Sequence, residues 1–184
     1  MDSPSFSALP NPQRFPPGNG RTRGVKNHKG EHGAFGLGYS SEGLAVSFAN
    51  DKDLPDFKKL DANHQKFSLV RKNGIILQYV DIALKSVSPM HRTSSLDFGV
   101  VLIGELACDL DSGERRILKP GDVEIQRGTM HQWLNMTDSW ARMVFVLIDA
   151  SEVEVGNRKL GKDLGGMEQG VSTFPDPRDG APMG

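Results

Sequence analysis

The chain has 184 residues, with 22 Lys and Arg against 23 Asp and Glu and a formal net charge of −1. This balance, with no polybasic run, argues against nucleic acid or an anionic membrane surface as a partner. Cys108 is the only cysteine, which excludes an intrachain disulfide and a thiolate zinc cluster and points to a reducing, cytoplasmic location.

No apolar run approaches the ~20 residues that span a bilayer, and the first residues carry neither the basic nor the apolar region of a secretion signal. Residues 1–33 hold five of the eleven prolines and the basic residues Arg21, Arg23, Lys26 and Lys29. Such a segment buries too little apolar surface to offset its ordering entropy and reads as disordered. A β-type body is expected over residues 34–155. Its first strand is read at 43–49, followed by a turn at 51–55. Strands at 67–70 and 75–84 flank Lys72-Asn73-Gly74, whose Asn-Gly pair is a hairpin signal. Further strands are expected at 98–103, 105–110, 117–118, 123–126, 131–135 and 141–148, with Asp111-Ser112-Gly113-Glu114 as another hairpin turn. Many short strands with turn residues between them, and no helical pattern across 67–150, describe an all-β antiparallel barrel or jelly roll. From residue 156 the chain is again Gly-rich and reads as a solvated tail, with Leu160 and Leu164 placed to pin a short helix to the body.

The most informative stretch is residues 119–135, KPGDVEIQRGTMHQWLN. Period-2 alternation puts His131, Trp133 and Asn135 on one face of a strand. Upstream, His91, Thr93 and Asp97 share one strand parity and, with regular pairing, face the same interior. Two imidazoles and a carboxylate form the facial triad that holds iron(II) or a similar divalent ion with open positions. The plainer alternative is a polar barrel interior in which Thr, Asn and water satisfy two histidines without an ion. Trp133 reads as a pocket wall, Thr93 as a pocket-shaping hydroxyl, and one of Gln78 and Tyr79 faces the interior. Arg92 points to the opposite face, Arg127 lies in a turn, and Cys108 reads as a small buried hydrophobe. No Gly-x-Gly-x-x-Gly run follows a strand, so no nucleotide cofactor is expected.

These segments resemble the two motifs of the cupin superfamily. His91 matches the first His of the first motif, Asp97 occupies its Glu position and Gly104 its closing Gly. Thr93 stands where the second His is usual, and Lys85 where the opening Gly is usual. Gly128, His131 and Asn135 match the second motif, with Gln126 in place of its proline and Gly121 one residue closer to the turn than usual. The combination HRTxSxDF with GDVxxQRGTxHxW is similar to small single-domain cupins of fungi and bacteria over residues 40–150. Fungal members of that group occur in gene clusters for polyketides of the salicylaldehyde type, where they are described as cupin-domain oxidoreductases. The resemblance implies a double-stranded β-helix (jelly-roll barrel) and a tailoring oxidoreductase acting on a polyketide-type small molecule. It implies His91 and His131 as catalytic residues and, with Asp97, as ligands of a divalent metal such as iron(II), manganese or zinc. Thr93, Trp133, Gln78 and Tyr79 are its candidate substrate contacts.

Two other functions fit the same residues. Either histidine serves as general base in an isomerase, dehydratase or cyclase without redox chemistry, or the barrel binds a small molecule without catalysis. Open sheet edges offer a route to a homodimer.

Overall fold

The computed structural model describes residues 22–26, 32–62, 69–167 and 171–173. In chain order its main elements are β1 (Thr22–Lys26), β2 (His32–Glu42), α1 (Leu54–Ala62), β3 (Gly74–Ile82), β4 (Ser86–Val87), β5 (Ser95–Ile103), β6 (Leu106–Leu110), β7 (Arg115–Leu118), β8 (Val123–Arg127), β9 (His131–Asn135), β10 (Ala141–Asp149), β11 (Val153–Val155), β12 (Arg158–Leu160) and β13 (Val171–Thr173). The larger sheet has the order β13-β1-β2-β3-β10-β5-β8, the smaller β4-β9-β6-β7, and β11 and β12 form a separate hairpin. From β5 to β10 the chain leaves the larger sheet for β6 and β7, returns for β8, leaves for β9 and returns for β10. That alternation makes a jelly roll.

The strands follow the expected alternation. Along β5, Ser95, Asp97, Gly99 and Val101 are buried while Leu96, Phe98 and Val100 are only partly covered. The inward faces of both sheets meet in one core: Val101, Leu106, Cys108, Leu118, Trp133, Met143, Phe145 and Leu147. Gly104 makes the corner between β5 and β6 with φ +82°, and a Cβ there would lie 2.8 Å from Ala141 Cβ, so neither the backbone angle nor the space suits a larger residue.

Residues 43–49 do not form the expected strand. Gly43 turns the chain out of β2 with φ +79°, and Leu44 and Phe48 are 65% and 73% exposed. The strand lies one segment earlier, in β2, whose Gly38 sits where a Cβ would fall 2.1 Å from Leu77 Cδ2 and where the β2–β3 register shifts. The expected turn at 51–55 instead leads into α1, which packs Phe57 and Leu60 against Leu37 of β2 and Ile76 of β3. Tyr39 donates to Asp53 Oδ2 at 2.6 Å just ahead of the helix. Asn73 (φ +55°) turns the chain into β3, but β3 pairs with β2, Glu42 opposite Gly74, rather than with residues 67–70. Of that predicted strand, residues 67 and 68 lie outside the described residues, and Leu69 and Val70 form a bend.

Within the N-terminal segment read as disordered, β1 pairs with both β2 and β13, while residues 1–21 and 27–31 lie outside the described residues. In the C-terminal stretch Asp163 bridges to Arg92, and Leu164 and Met167 are buried. Residues 174–184 lie outside the described residues. Among the described residues, no helix is long and apolar enough to cross a membrane.

Candidate active site in the barrel

Two segments bring imidazoles to one spot. His91, just upstream of β5, bridges His131 at the start of β9: the His91 N–H donates to the His131 carbonyl at 2.8 Å, and the reverse bond is 2.9 Å. Residues that exchange both backbone bonds are direct cross-strand neighbours with side chains on one face. The two rings stand 4.3 Å apart at an interplanar angle of 49°. Trp133 meets His131 edge-on at 6.1 Å and Phe145 at 5.8 Å.

The backbone fixes the protonation of both rings. His91 Nδ1 lies 2.8 Å from the Pro89 carbonyl, and His131 Nδ1 lies 2.9 Å from the Thr129 carbonyl. A carbonyl only accepts, so each Nδ1 carries the proton and each Nε2 keeps its lone pair. Burial, and then the neighbouring His91, pushes the His131 pKa down to about 3. Burial also lowers the His91 pKa, against the opposing pull of the Pro89 carbonyl and Asp163. Both rings are therefore neutral at neutral pH.

Thr93 donates to Asp97 Oδ2 at 2.9 Å, while the buried Asp97 Oδ1 has no hydrogen-bond partner. Burial raises the Asp97 pKa, opposed by the hydroxyls of Ser95 and Thr93; the Ser95 hydroxyl lies nearby but outside hydrogen-bond geometry. Gln78 Oε1 is likewise buried without a partner. Opposite Asp97 on β8 stands Gln126, which donates to Glu124 and lies 3.5 Å from Cys108 Sγ. Burial pushes the Cys108 thiol well up, so it stays protonated and is no nucleophile.

A cavity of about 100 Å³ opens among these groups, walled by His91, Thr93, Asp97, His131, Gln78 and Trp133. Of the candidate substrate contacts expected there, Tyr79 is the one absent from the lining. It belongs to the opposite face of β3, across from Gly36 and Val144, because alternation sends Gln78 inward. Asn135 is buried but structural: its amide donates to the Ile82 and Ser139 carbonyls at 3.1 and 2.8 Å and accepts from the Thr137 N–H and hydroxyl. Phe145 and Leu147 of β10 add apolar wall that the sequence reading did not assign to the site. Asp81 also lines the cavity. Its carboxylate is paired with the guanidinium of Arg142, directly across the sheet, at 2.5 and 2.7 Å.

No family model matches the chain. It is 42% identical over 128 residues to phomopsin biosynthesis cluster protein C' of Diaporthe leptostromiformis, covering 69% of this chain and 67% of that protein. It is 37% identical over 150 residues to cupin-domain-containing oxidoreductase srdB of Neurospora crassa, covering 77% of this chain and 74% of that protein. The chain belongs to the cupin-domain oxidoreductases. This cupin is also 37% identical to oryzines biosynthesis cluster protein J of Aspergillus oryzae, over 71% of this chain and 73% of that protein. Among solved structures, a cupin 2 conserved barrel domain protein from Salinispora arenicola aligns with a TM-score of 0.38 and 27% identity, over 41% of this chain and 64% of that chain. A double-stranded β-helix protein from Klebsiella pneumoniae aligns with a TM-score of 0.41 and 20% identity, over 45% of this chain and 73% of that chain.

The cupin resemblance implies a metal, and the donors can be tested for it. Among the described residues, no three His, Cys, Asp or Glu side chains converge closely enough to hold one ion. The set His91, His131 and Asp97 expected from the motifs is therefore not assembled. The hydroxyl of Thr93, standing where the motif usually has its second His, engages Asp97 Oδ2, and aspartate reaches one methylene less than the usual glutamate. This cupin keeps the two imidazoles and does not complete the triad.

Proposed function

We propose that this cupin-domain oxidoreductase tailors a small polyketide-derived intermediate of secondary metabolism inside its barrel, with the chemistry centred on His91 and His131. The observation that carries the proposal is the imidazole pair itself: two neutral rings, each held by a backbone carbonyl at Nδ1. Their Nε2 lone pairs are left for a ligand. Oxidising an alcohol, phenol or enol sends the oxygen-bound proton to a base, which a positioned neutral imidazole is, and two electrons with the second hydrogen to an acceptor brought in as co-substrate, such as dioxygen. Trp133, Phe145 and Leu147 give the cavity apolar wall, which excludes water and strengthens each polar contact with substrate. The printed names of the relatives, in phomopsin and oryzines biosynthesis and as cupin-domain-containing oxidoreductases, support a tailoring role.

A second reading rests on the incomplete ligand triad. An isomerisation, dehydration or ring closure needs only the base, and His91 or His131 supplies it without electron transfer. One experiment separates the two. The chain is expressed with its neighbouring biosynthetic genes as wild type, His91→Ala and His131→Ala, and accumulated metabolites are compared by mass spectrometry. The oxidoreductase reading expects a precursor that differs from the product by two hydrogens or by oxygen. A precursor of equal mass, or one differing by water, supports the second reading, and unchanged output from both variants overturns both.

A further inference from the structure

Most of the apolar wall of the cavity stands on paired strands: Phe35 on β2, Val80 on β3, Trp133 on β9, and Phe145 and Leu147 on β10. Met167 does not. It is 7% exposed and reaches the cavity from residues 161–167, a stretch that follows the β11–β12 hairpin and lies outside the strands of both sheets. That stretch runs across the segment that carries His91. Arg92 and Asp163 exchange both backbone bonds, at 2.5 and 2.9 Å, while His91 does the same with His131. Successive residues of an extended chain offer their backbone groups to opposite sides, so the segment around His91 is gripped along both edges. Beyond the bridge the chain turns sharply. Gly165 has φ +55°, and a Cβ there would collide with the Met90 carbonyl oxygen and lie 3.0 Å from Pro89 Cβ, so glycine lets the stretch seat this closely. The Gly165 N–H donates to Asp163 Oδ1 at 3.0 Å and the Met167 N–H to the Leu164 carbonyl at 2.9 Å, and Leu164 is buried. These contacts place Met167 in the wall that His91 also lines.

We infer that residues 161–167 act as a strap closing one side of the barrel, and that Met167 is the residue that sets the width of ligand the site accepts. A single ring or an unbranched chain is favoured over a fused bicycle. The inference rests on the proposed function and narrows the substrate class of that site. The cavity holds about 100 Å³, less than the ~150 Å³ that takes a benzene ring in an engineered protein cavity. One ring therefore fills it, and one wall side chain decides whether a second ring can follow. The strand residues around the cavity are tied into ladders and move only with their sheet. Met167 is tied to the body through the Arg92–Asp163 bridge and the buried Leu164, so cutting it back at Cβ widens the cavity and leaves both sheets intact.

Isothermal titration calorimetry of the full chain with phenol and 2-naphthol, which carry the same hydroxyl on one ring and on a fused pair, tests this. The ratio of 2-naphthol to phenol affinity is expected to rise about ten-fold or more in Met167→Ala, the scale on which apolar pockets respond to a gained or lost group. Met167→Leu conserves volume and is expected to keep the wild-type ratio within about three-fold. Gly165→Ala, whose Cβ lifts the strap from Met90, is expected to raise the ratio as Met167→Ala does. A ratio in Met167→Ala within three-fold of wild type overturns the inference, and Gly165→Ala decides it by the same criterion if the first variant does not unfold cooperatively. Absence of binding of both compounds to wild type and variants overturns it as well. The measurement involves no turnover, so its failure leaves the pathway result for the histidine variants standing, and failure of that result leaves the width preference standing.

Discussion

Replacing His131 by Gln should change how stability depends on pH. His131 is 3% exposed, and its pKa is lowered from the ordinary imidazole value of about 6.5 to about 3, chiefly by burial. Because the folded-state pKa is the lower one, the unfolded chain takes up the proton first as pH falls. The neutral ring therefore costs nothing above about pH 6.5, and stability drains away as pH falls from there toward about 3. Each pKa unit corresponds to about 1.4 kcal/mol. One ring accounts for a loss of about 2 kcal/mol by pH 5 and about 4 kcal/mol by pH 3. The lowered pKa of His91 acts in the same direction. The raised pKa of Asp97 and of Glu124, both due to burial, acts in the opposite one, so the wild-type profile alone is a sum. Subtracting the profile of His131→Gln isolates the ring. Urea denaturation from pH 7.5 to 4.5 should show the variant shallower by close to one proton below pH 6. Parallel profiles would refute the claim that His131 is buried and neutral.

Other substitutions test the surrounding framework. Arg142→Met leaves the Asp81 carboxylate, 3% exposed, without its cation, and should cost about 3–5 kcal/mol in chemical denaturation; adding Asp81→Leu should recover a large part of it. Asn135→Ala removes two donated and two accepted hydrogen bonds and should cost about 2–4 kcal/mol in urea denaturation. Thr93→Val orphans Asp97 Oδ2 and should cost about 1–3 kcal/mol at neutral pH. That penalty should shrink as pH falls through the raised pKa of Asp97, which the same denaturation series would reveal.

Much of the site could be read from strand parity, because alternation fixes which side chains share a face once a strand is recognised. His91, Thr93, Asp97, His131 and Trp133 reach one cavity for that reason. Parity could not choose between Gln78 and Tyr79, since neither polarity nor size forbids either from a barrel wall; the pairing of β3 decided it. Asn135 has the parity of His131, yet the turn after β9 draws its amide to Ser139 and Thr137, and such turn geometry leaves little trace in side-chain type. The pairing of Asp81 with Arg142 joins residues 61 apart in sequence, a separation at which charge patterning is silent. The strand expected at 43–49 failed for a different reason. Its alternation of apolar residues is real, but no neighbouring strand accepts it, while the Gly-rich β2 pairs on both sides with a composition that disguises it. For the metal triad, residue type was legible and placement was not: among the described residues no three such side chains converge on one point.

Two neutral imidazoles, each held at Nδ1 by a backbone carbonyl, keep their Nε2 lone pairs for the cavity. Long-range proton–nitrogen correlation spectra of the histidine rings, recorded on labelled protein from pH 7 to 4.5, report the tautomer and charge of each ring directly. His91 and His131 should both appear as neutral rings protonated at Nδ1, and His131 should stay so through pH 4.5. Titration of His131 near 6.5, or a proton on Nε2 of either ring, would contradict the account.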